Sequence, residues 1–275
     1  MKSDALGDRM KAYERRETDH RFMNFAPVVA RMDGRGFSKW TAGLARPYDE
    51  NLSKVMVEVT RRLVAETGAR IGYTQSDEIT LVLLVDEIGQ SMMFDAKAQK
   101  LCSVLAAMTT SFFMVECIER GGEELARRAM RAPQFDARVF QVPNRGEATN
   151  AVLWREQDAA KNAVSMSARS FYEHSELQGR TGPQMQEMMF QKGQNFNDYP
   201  SFFKRGTFLQ ARTRTETLPP EVQERMGLDA SHAEQATVVR RSIERIEMPI
   251  FSKVVNREAV IFEGAEPALQ IDPDA

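Results

Sequence analysis

The chain is poor in the residues that would mark a secreted, membrane or zinc-finger protein. It has two cysteines, Cys102 and Cys117, 15 positions apart in what the apolar spacing reads as one long helix. There they can neither pair with each other nor form a zinc knuckle, so both are expected to be buried as apolar residues. The three histidines, His20, His174 and His232, have no neighbouring ligand pattern and read as surface or cap residues. No continuous apolar run reaches the roughly 18 residues that a membrane span needs. The opening "MKSDALGDRMKAYERRETDH" is too charged for a secretory signal. The expectation is a cytoplasmic protein with no membrane partner. Charge of one sign is also missing: the formal net charge is −2. That excludes a globally basic nucleic-acid surface, so any RNA contact must be local. Arg127, Arg128 and Arg131, Lys204 and Arg205, Arg212 and Arg214, and Arg240 and Arg241 are the candidate clusters; each otherwise reads as a solvated face. There is no internal repeat and no low-complexity tract.

What is present is ordinary in composition and ordered in pattern. The 275 residues, 42% hydrophobic and 28% charged, suffice for one large domain or two modest ones with a sizeable core. Residues 26–32, "APVVARM", read as a strand that the turn chemistry of "DGRG" ends. Leu52, Val55, Met56, Val59 and Leu63 then follow the spacing of one helix face, with Asp49 as its cap. "RIGYTQ" and "EITLVLLV" read as two strands. A second helix begins near Phe94, turns Leu101, Val104, Leu105, Met108, Phe112 and Val115 inward, and stops at Gly121 and Gly122. "FDARVFQV" is a fourth strand. The order β, α, β, β, α, β is the split βαβ arrangement, two helices on one face of an antiparallel sheet. It predicts an α+β, ferredoxin-like palm of the kind found in polymerases and nucleotide cyclases over residues 1–143. A mainly helical segment follows over 144–275, beginning with "TNAVLWREQDAAKNAVSMSARSFYEHSEL" and "PQMQEMMFQKG" and ending in a Pro- and Arg-rich region without clear periodicity.

Asp77 and Glu78 stand immediately before an apolar strand in "GYTQSDEITLVLL". An ionised carboxylate there needs water, a partner or a cation. Asp33 ends the first strand, which the split βαβ order makes a neighbour of the strand after Asp77, so both aspartates can converge on one sheet edge. That geometry suits Mg²⁺, held by one or two carboxylates, waters and phosphates, and two such ions serve phosphoryl chemistry. The plainer reading is a turn dipeptide at Asp33 and a solvated hairpin tip at Asp77. Lys97, Lys100 and Ser103 share a face in the first turns of the second helix, where the dipole disfavours cations. A bound triphosphate would reverse that penalty; the alternative is two exposed lysines beside Asp95.

"RMDGRGFSKW", "GYTQSDEITLVLL", "FDAKAQKLCS", "FDARVFQVP", "WREQDAAKNAVSM", "NFNDYPSFFKRGT" and "MPIFSKVVNREAVIFEGAEP" occur in this order. Together they resemble the tRNA-histidine guanylyltransferase family, in particular its bacterial and phage branch of 3′-to-5′ polymerases, over about residues 10 to 268. The resemblance implies a nucleotidyltransferase that adds nucleotides to the 5′ end of tRNA or tRNA-like RNA after activating that end with ATP or GTP. It implies two Mg²⁺ ions held by Asp33, Asp77 and the Gly34 carbonyl, with Glu78 as a supporting acid. By the same resemblance Lys97 and Lys100 contact the triphosphate, Ser76 faces phosphate, Arg46 stands near the nucleotide, and Arg31 and Arg35 flank the first metal ligand. Asn162, Lys204 and Arg205 fall to RNA, the second half of the chain becomes the RNA-contacting part, and a homo-oligomer, a tetramer, is expected.

The chain departs from the family where members devoted to tRNA-histidine carry D-C-H-I-N-N. Here Asp158, Ala159, Ala160, Lys161, Asn162 and Ala163 stand in those places, and Met185 replaces a lysine. Strict tRNA-histidine specificity is not expected of it; repair of a defective 5′ end is. Two rivals use the same fold. A palm-fold nucleotide cyclase would employ the aspartates on a nucleotide alone, but leaves "KRGT" and "NREAVIFEGAEP" unexplained. A non-catalytic RNA-binding protein would have no need of Asp33, Asp77, Lys97 and Lys100.

Overall fold

The computed structural model describes residues 4–225 and 237–270; His232 lies outside them. The elements in chain order are α1 (Ala5–Thr18), β1 (Val28–Gly34), α2 (Phe37–Trp40), α3 (Glu50–Thr67), β2 (Ile71–Gln75), β3 (Glu78–Leu83), α4 (Ala98–Arg120), α5 (Gly122–Ala129), β4 (Phe135–Gln141), α6 (Arg145–Ala168), α7 (His174–Leu177), α8 (Gly182–Gln191), α9 (Ser201–Arg205), β5 (Thr207–Thr217), α10 (Pro220–Arg225), β6 (Thr237–Ile246) and α11 (Arg257–Glu263). One antiparallel sheet runs through the chain in the order β4-β1-β3-β2-β5-β6. Its first four strands, with α3 and α4, form the expected split βαβ unit.

Local chemistry accounts for most boundaries. The Asp49 carboxylate accepts from Leu52 N at 2.9 Å to start α3, and Gly68, at φ +67°, ends it in the left-handed conformation. α4 starts at Ala98, later than the apolar spacing implies, because Phe94, Asp95 and Ala96 all have positive φ within a 3₁₀ turn. Lys97 is therefore the cap of α4, not a residue inside its first turn. The helix expected over 149–177 is two, α6 and α7, separated by a break over 169–173. Asn144 starts α6, its side chain accepting from Glu147 N at 2.9 Å.

Strand alternation sends Val28, Ala30 and Met32 to one face of the sheet, where they pack with Val55, Val59 and Leu63 of α3 and Leu101, Leu105 and Phe113 of α4. Val29, Ile71, Tyr73 and Val82 go to the other face, under Ala148 and Val152 of α6 and Val260 and Ile261 of α11. The central strands β1, β2 and β3 are thus covered on both faces. The second half of the chain also supplies β5 and β6, which come from the Pro- and Arg-rich stretch whose periodicity gave no strand. A third small cluster, Val164, Ala168, Leu177 and Met189, joins α6 to α8.

Three expectations from the sequence are refined. α4 is long and apolar enough by length and composition to cross a membrane, yet it lies on β4 and α3 with Leu101, Leu105, Phe113 and Cys117 buried. Cys102 is only half-buried, and its thiol donates to the Ala137 carbonyl at 2.6 Å. In the Arg127, Arg128, Arg131 cluster, Arg128 is a buried structural residue that donates to the carbonyls of Trp40 and Ala42 and pairs with Glu124.

Candidate active site

The ladder register places Asp33 opposite Glu78 of β3 on one side and opposite Asp136 of β4 on the other. Directly opposed residues share a face, so three carboxylates cross one end of the sheet in a row. They lie on the α6 face, opposite to Met32. Asp77 reaches the same end of the sheet from the two-residue turn that connects β2 to β3 across the Gln75–Glu78 pair. Ser76, at φ +54°, makes that turn and donates its hydroxyl to Asp77 Oδ1 at 3.0 Å. The approach of Asp77 to β1 depends on Gly34. A Cβ at that position would fall 2.9 Å from Asp77 Oδ2 and 2.4 Å from Phe37 Cδ2.

This crowding shows in the acidities. The Asp77 carboxyl is pushed up to about 6, first by burial and then by the charge of Asp33, against the opposing hydrogen bond from Ser76. Burial also raises the Glu78 carboxyl, opposed by Arg155 and Arg31. Such an edge disfavours its own negative charge and gains from a cation. Among the described residues no three His, Cys, Asp or Glu side chains form a metal cage. Two carboxylates beside a glycine carbonyl are instead the sparse protein ligand set that Mg²⁺ accepts, the remaining positions going to water and phosphate oxygens.

Sequence reasoning missed the residue that holds Glu78. Arg155 of α6 donates Nε to Oε1 at 2.6 Å and Nη2 to Oε2 at 2.7 Å, and Nη2 also reaches Asp158 at 3.1 Å. Its guanidinium packs 4.6 Å from the ring centroid of Trp154, which Arg31 approaches at 5.5 Å. The "WREQD" motif contained both residues, but spacing alone could not name a partner 77 positions away. Asp136 was missed for the same reason: its place beside Asp33 exists only in the register.

The other expected site residues have partners of their own or stand exposed. Arg35 is exposed and donates to Gln134 Oε1 at 3.2 Å. Arg46 is exposed in the loop before α3. Lys97 pairs with Asp19 at 2.9 Å, an interaction that holds the Asp19 carboxyl below its usual range. Lys100 is exposed with its ammonium 5.2 Å from the Phe94 ring centroid, and the Ser103 hydroxyl donates to the Lys100 carbonyl.

Among the described residues no hydrogen bond or ion pair links either lysine to Asp33 or Asp77. The start of α4 is tied to the segment before β1 by the bonds Phe22 N to Ala96 O and Ala98 N to His20 O. Farther along α4, the Cys102 thiol meets Ala137, opposite Met32, and Thr110 accepts from Phe135 N, opposite Gly34. α4 therefore runs from the Val28 end toward the Gly34 end, and Lys97 and Lys100 precede the turn of α4 that meets Ala137.

On the RNA side, Asn162 is exposed and donates to Asp158 at 3.4 Å. Ala163 is buried and Ala160 half-buried, so Lys161 and Asn162 are the exposed members of that hexapeptide. Lys204 donates to the Asn197 carbonyl, and the Arg205 carbonyl accepts from Tyr73 OH at 3.0 Å. Gly206, at φ +77°, lets this segment close on β2: a Cβ there would lie 2.6 Å from the Thr74 carbonyl. Lys204 and Arg205 are thereby anchored to the strand that leads into Ser76 and Asp77.

A ferredoxin-like antiparallel sheet with carboxylates at the end of β1 and in the β2–β3 turn defines a palm-type α+β protein. Comparison with known proteins narrows this class. The profile of the Thg1 tRNA-His guanylyltransferase family matches residues 7–143. A solved bacterial tRNA(His) guanylyltransferase (Thg1)-like protein in complex with ATP is 32% identical, at a TM-score of 0.74 over 94% of this chain and 98% of that one. A structure of such a bacterial protein in complex with GTP is 30% identical, at a TM-score of 0.70 with the same coverage. The tRNA(His) guanylyltransferase of Schizosaccharomyces pombe is 24% identical over 212 residues, 72% of this chain and 77% of that protein. The chain belongs to the tRNA-His guanylyltransferase (Thg1) family.

Proposed function

We propose that this chain is a Mg²⁺-dependent nucleotidyltransferase that extends the 5′ end of tRNA or tRNA-like RNA in the 3′-to-5′ direction, using ATP or GTP to activate that end. The observation that carries the reading is the meeting of Asp33, Gly34 and Asp77 at one open end of the sheet, in a chain similar over nearly its whole length to proteins solved with ATP and with GTP. The carboxylates of Asp33 and Asp77 and the Gly34 carbonyl would hold the metal. When bound it supplies electrostatic stabilisation of charge on the transferring and leaving phosphates. Ser76 fixes the Asp77 carboxylate through its hydroxyl, and Arg155 fixes Glu78.

Two transfers share this edge. In the first, an oxygen of the RNA 5′-monophosphate attacks the α-phosphate of ATP or GTP and pyrophosphate leaves. In the second, the 3′-hydroxyl of an incoming nucleotide attacks the activated 5′ phosphate and the nucleoside monophosphate leaves. Arg31, Arg35 and Arg46 are assigned to phosphate groups near Asp33. Lys97 and Lys100 are assigned to orienting the triphosphate. Residues 1–143 carry the chemistry, while 144–275, through Asn162, Lys204 and Arg205, hold RNA. A homotetramer and a cytoplasmic location complete the proposal; the free thiols of Cys102 and Cys117 fit a reducing compartment.

Ala160 and Ala163 remove the side chains that specialised members place in α6. The expected outcome is efficient extension of several tRNAs lacking their 5′-terminal nucleotide, with weaker addition of an extra guanosine to intact tRNA-histidine. Catalytic efficiency measured side by side with labelled GTP decides it; a clear preference for full-length tRNA-histidine would sink the repair reading. Pyrophosphate release that is independent of RNA would favour a cyclase instead.

A further inference from the structure

We propose that Arg155 is a positioning residue: reaching from α6, it withdraws Glu78 from competition for the cation that Asp33 and Asp77 bind. The inference rests on the metal-dependent reading above. Glu78 follows Asp77 in sequence and opposes Asp33 across the ladder, so a third carboxylate stands within the same small space. Left free, it could rotate toward the cation and offer an unwanted ligand. Arg155 occupies both of its oxygens with one planar fork, at 2.6 and 2.7 Å, and both side chains are only 14% exposed. Arg31, the other cation beside Glu78, remains 3.9 Å away, and its Nε has no hydrogen-bond partner. Among the described residues Arg155 is thus the group whose side chain hydrogen-bonds the Glu78 carboxylate. Asp158 takes its outer edge and Trp154 covers its face. A lysine at this place would bring the charge without the two-point grip.

The test uses the full chain with Arg155→Ala, Arg155→Lys, Glu78→Gln and the double variant Arg155→Ala/Glu78→Gln. Mn²⁺ is titrated as the metal probe, followed by electron paramagnetic resonance without nucleotide or RNA, beside kcat and KM for GTP. Thermal unfolding selects the variants that fold. Arg155→Ala is expected to shift Mn²⁺ affinity by about fivefold or more and to lower kcat by about 30-fold, with KM for GTP changed by less than about threefold. Arg155→Lys should fall between it and the wild type, which keeps the test decisive should Arg155→Ala fail to fold. Because Arg155 acts through Glu78, the double variant should bind Mn²⁺ and turn over like Glu78→Gln alone, a non-additive result.

Independent, multiplying effects would overturn the proposal, since Arg155 would then act on substrate itself. Unchanged Mn²⁺ binding in Arg155→Ala and Arg155→Lys, or no Mn²⁺ binding by the wild type, would also overturn it. A wild type that binds Mn²⁺ with the expected variant pattern yet never releases pyrophosphate would uphold Arg155 and sink the nucleotidyltransferase reading.

Discussion

Asp77 is expensive to the fold in its charged form, and that is the residue-scale signature of the site. Its folded carboxyl, raised to about 6 by burial and by Asp33, binds a proton that the unfolded chain has already released. In the presence of a chelator, the contribution of Asp77 to stability should therefore fall as pH rises from about 4 to about 6. At neutral pH its charge should cost at most about 3 kcal/mol. Asp77→Asn should flatten that pH window and raise the melting temperature in chelator, while Asp33→Ala and Asp77→Ala each lose nucleotide addition by at least about 100-fold. Melting curves with chelator and with saturating Mg²⁺ check both halves: Mg²⁺ should stabilise the wild type and not these variants. Near wild-type turnover by either alanine variant would remove the two-aspartate site. Gly34→Ala belongs to the same scale, because its methyl would push on Asp77 Oδ2 and Phe37 together. Loss of activity with a modest loss of stability is the expected result, checked by turnover and chemical denaturation.

α4 shows at the scale of elements how a few backbone angles decide where two lysines stand. Three consecutive left-handed residues, Phe94 to Ala96, delay the helix and hand the cap position to Lys97, and the helix then runs away from the Val28 end of the sheet. A triphosphate role for Lys100 predicts a several-fold higher GTP concentration for half-maximal rate in Lys100→Ala. Lys97→Ala should do less, since Lys97 must first leave Asp19, and Asp19→Asn should sharpen GTP dependence by releasing it. Steady-state rates against GTP concentration test this, and identical curves in all three would return both lysines to the solvated surface. The β5 junction carries a separate prediction. Gly206→Ala combines a left-handed φ with a 2.6 Å approach to the Thr74 carbonyl, so it should cost about 1–3 kcal/mol of stability, read by denaturant unfolding.

On the scale of the whole molecule, residues 1–143 cannot be detached without exposing the sheet. Val29, Ile71, Tyr73 and Val82 are covered by α6, α11 and Phe208 of β5, all from beyond that boundary. A truncated 1–143 chain should aggregate or bind a hydrophobic dye strongly, the behaviour of a wide uncovered apolar face. A soluble, monomeric fragment with a cooperative melt would show the first half to be self-sufficient.

Apolar spacing in α3, the turn residues after β1 and the short runs of β2 to β4, apolar in β3 and alternating in β4, were enough to read the split βαβ core, because each of those signals is local. Asp33 and Asp77 were legible for the same reason: turn chemistry put each at a strand end, and strand order made them neighbours. β5 and β6 were not legible. Their outer halves are exposed on both faces, so no alternation marks them, and only pairing with β2 and with each other makes them strands. The grip of Arg155 on Glu78, the acid row through Asp136, and the pairing of Lys97 with Asp19 were likewise decided by tertiary structure. Each depends on register, helix direction or a contact between residues far apart in sequence, and a charged side chain carries no record in its own neighbourhood of the partner that will neutralise it.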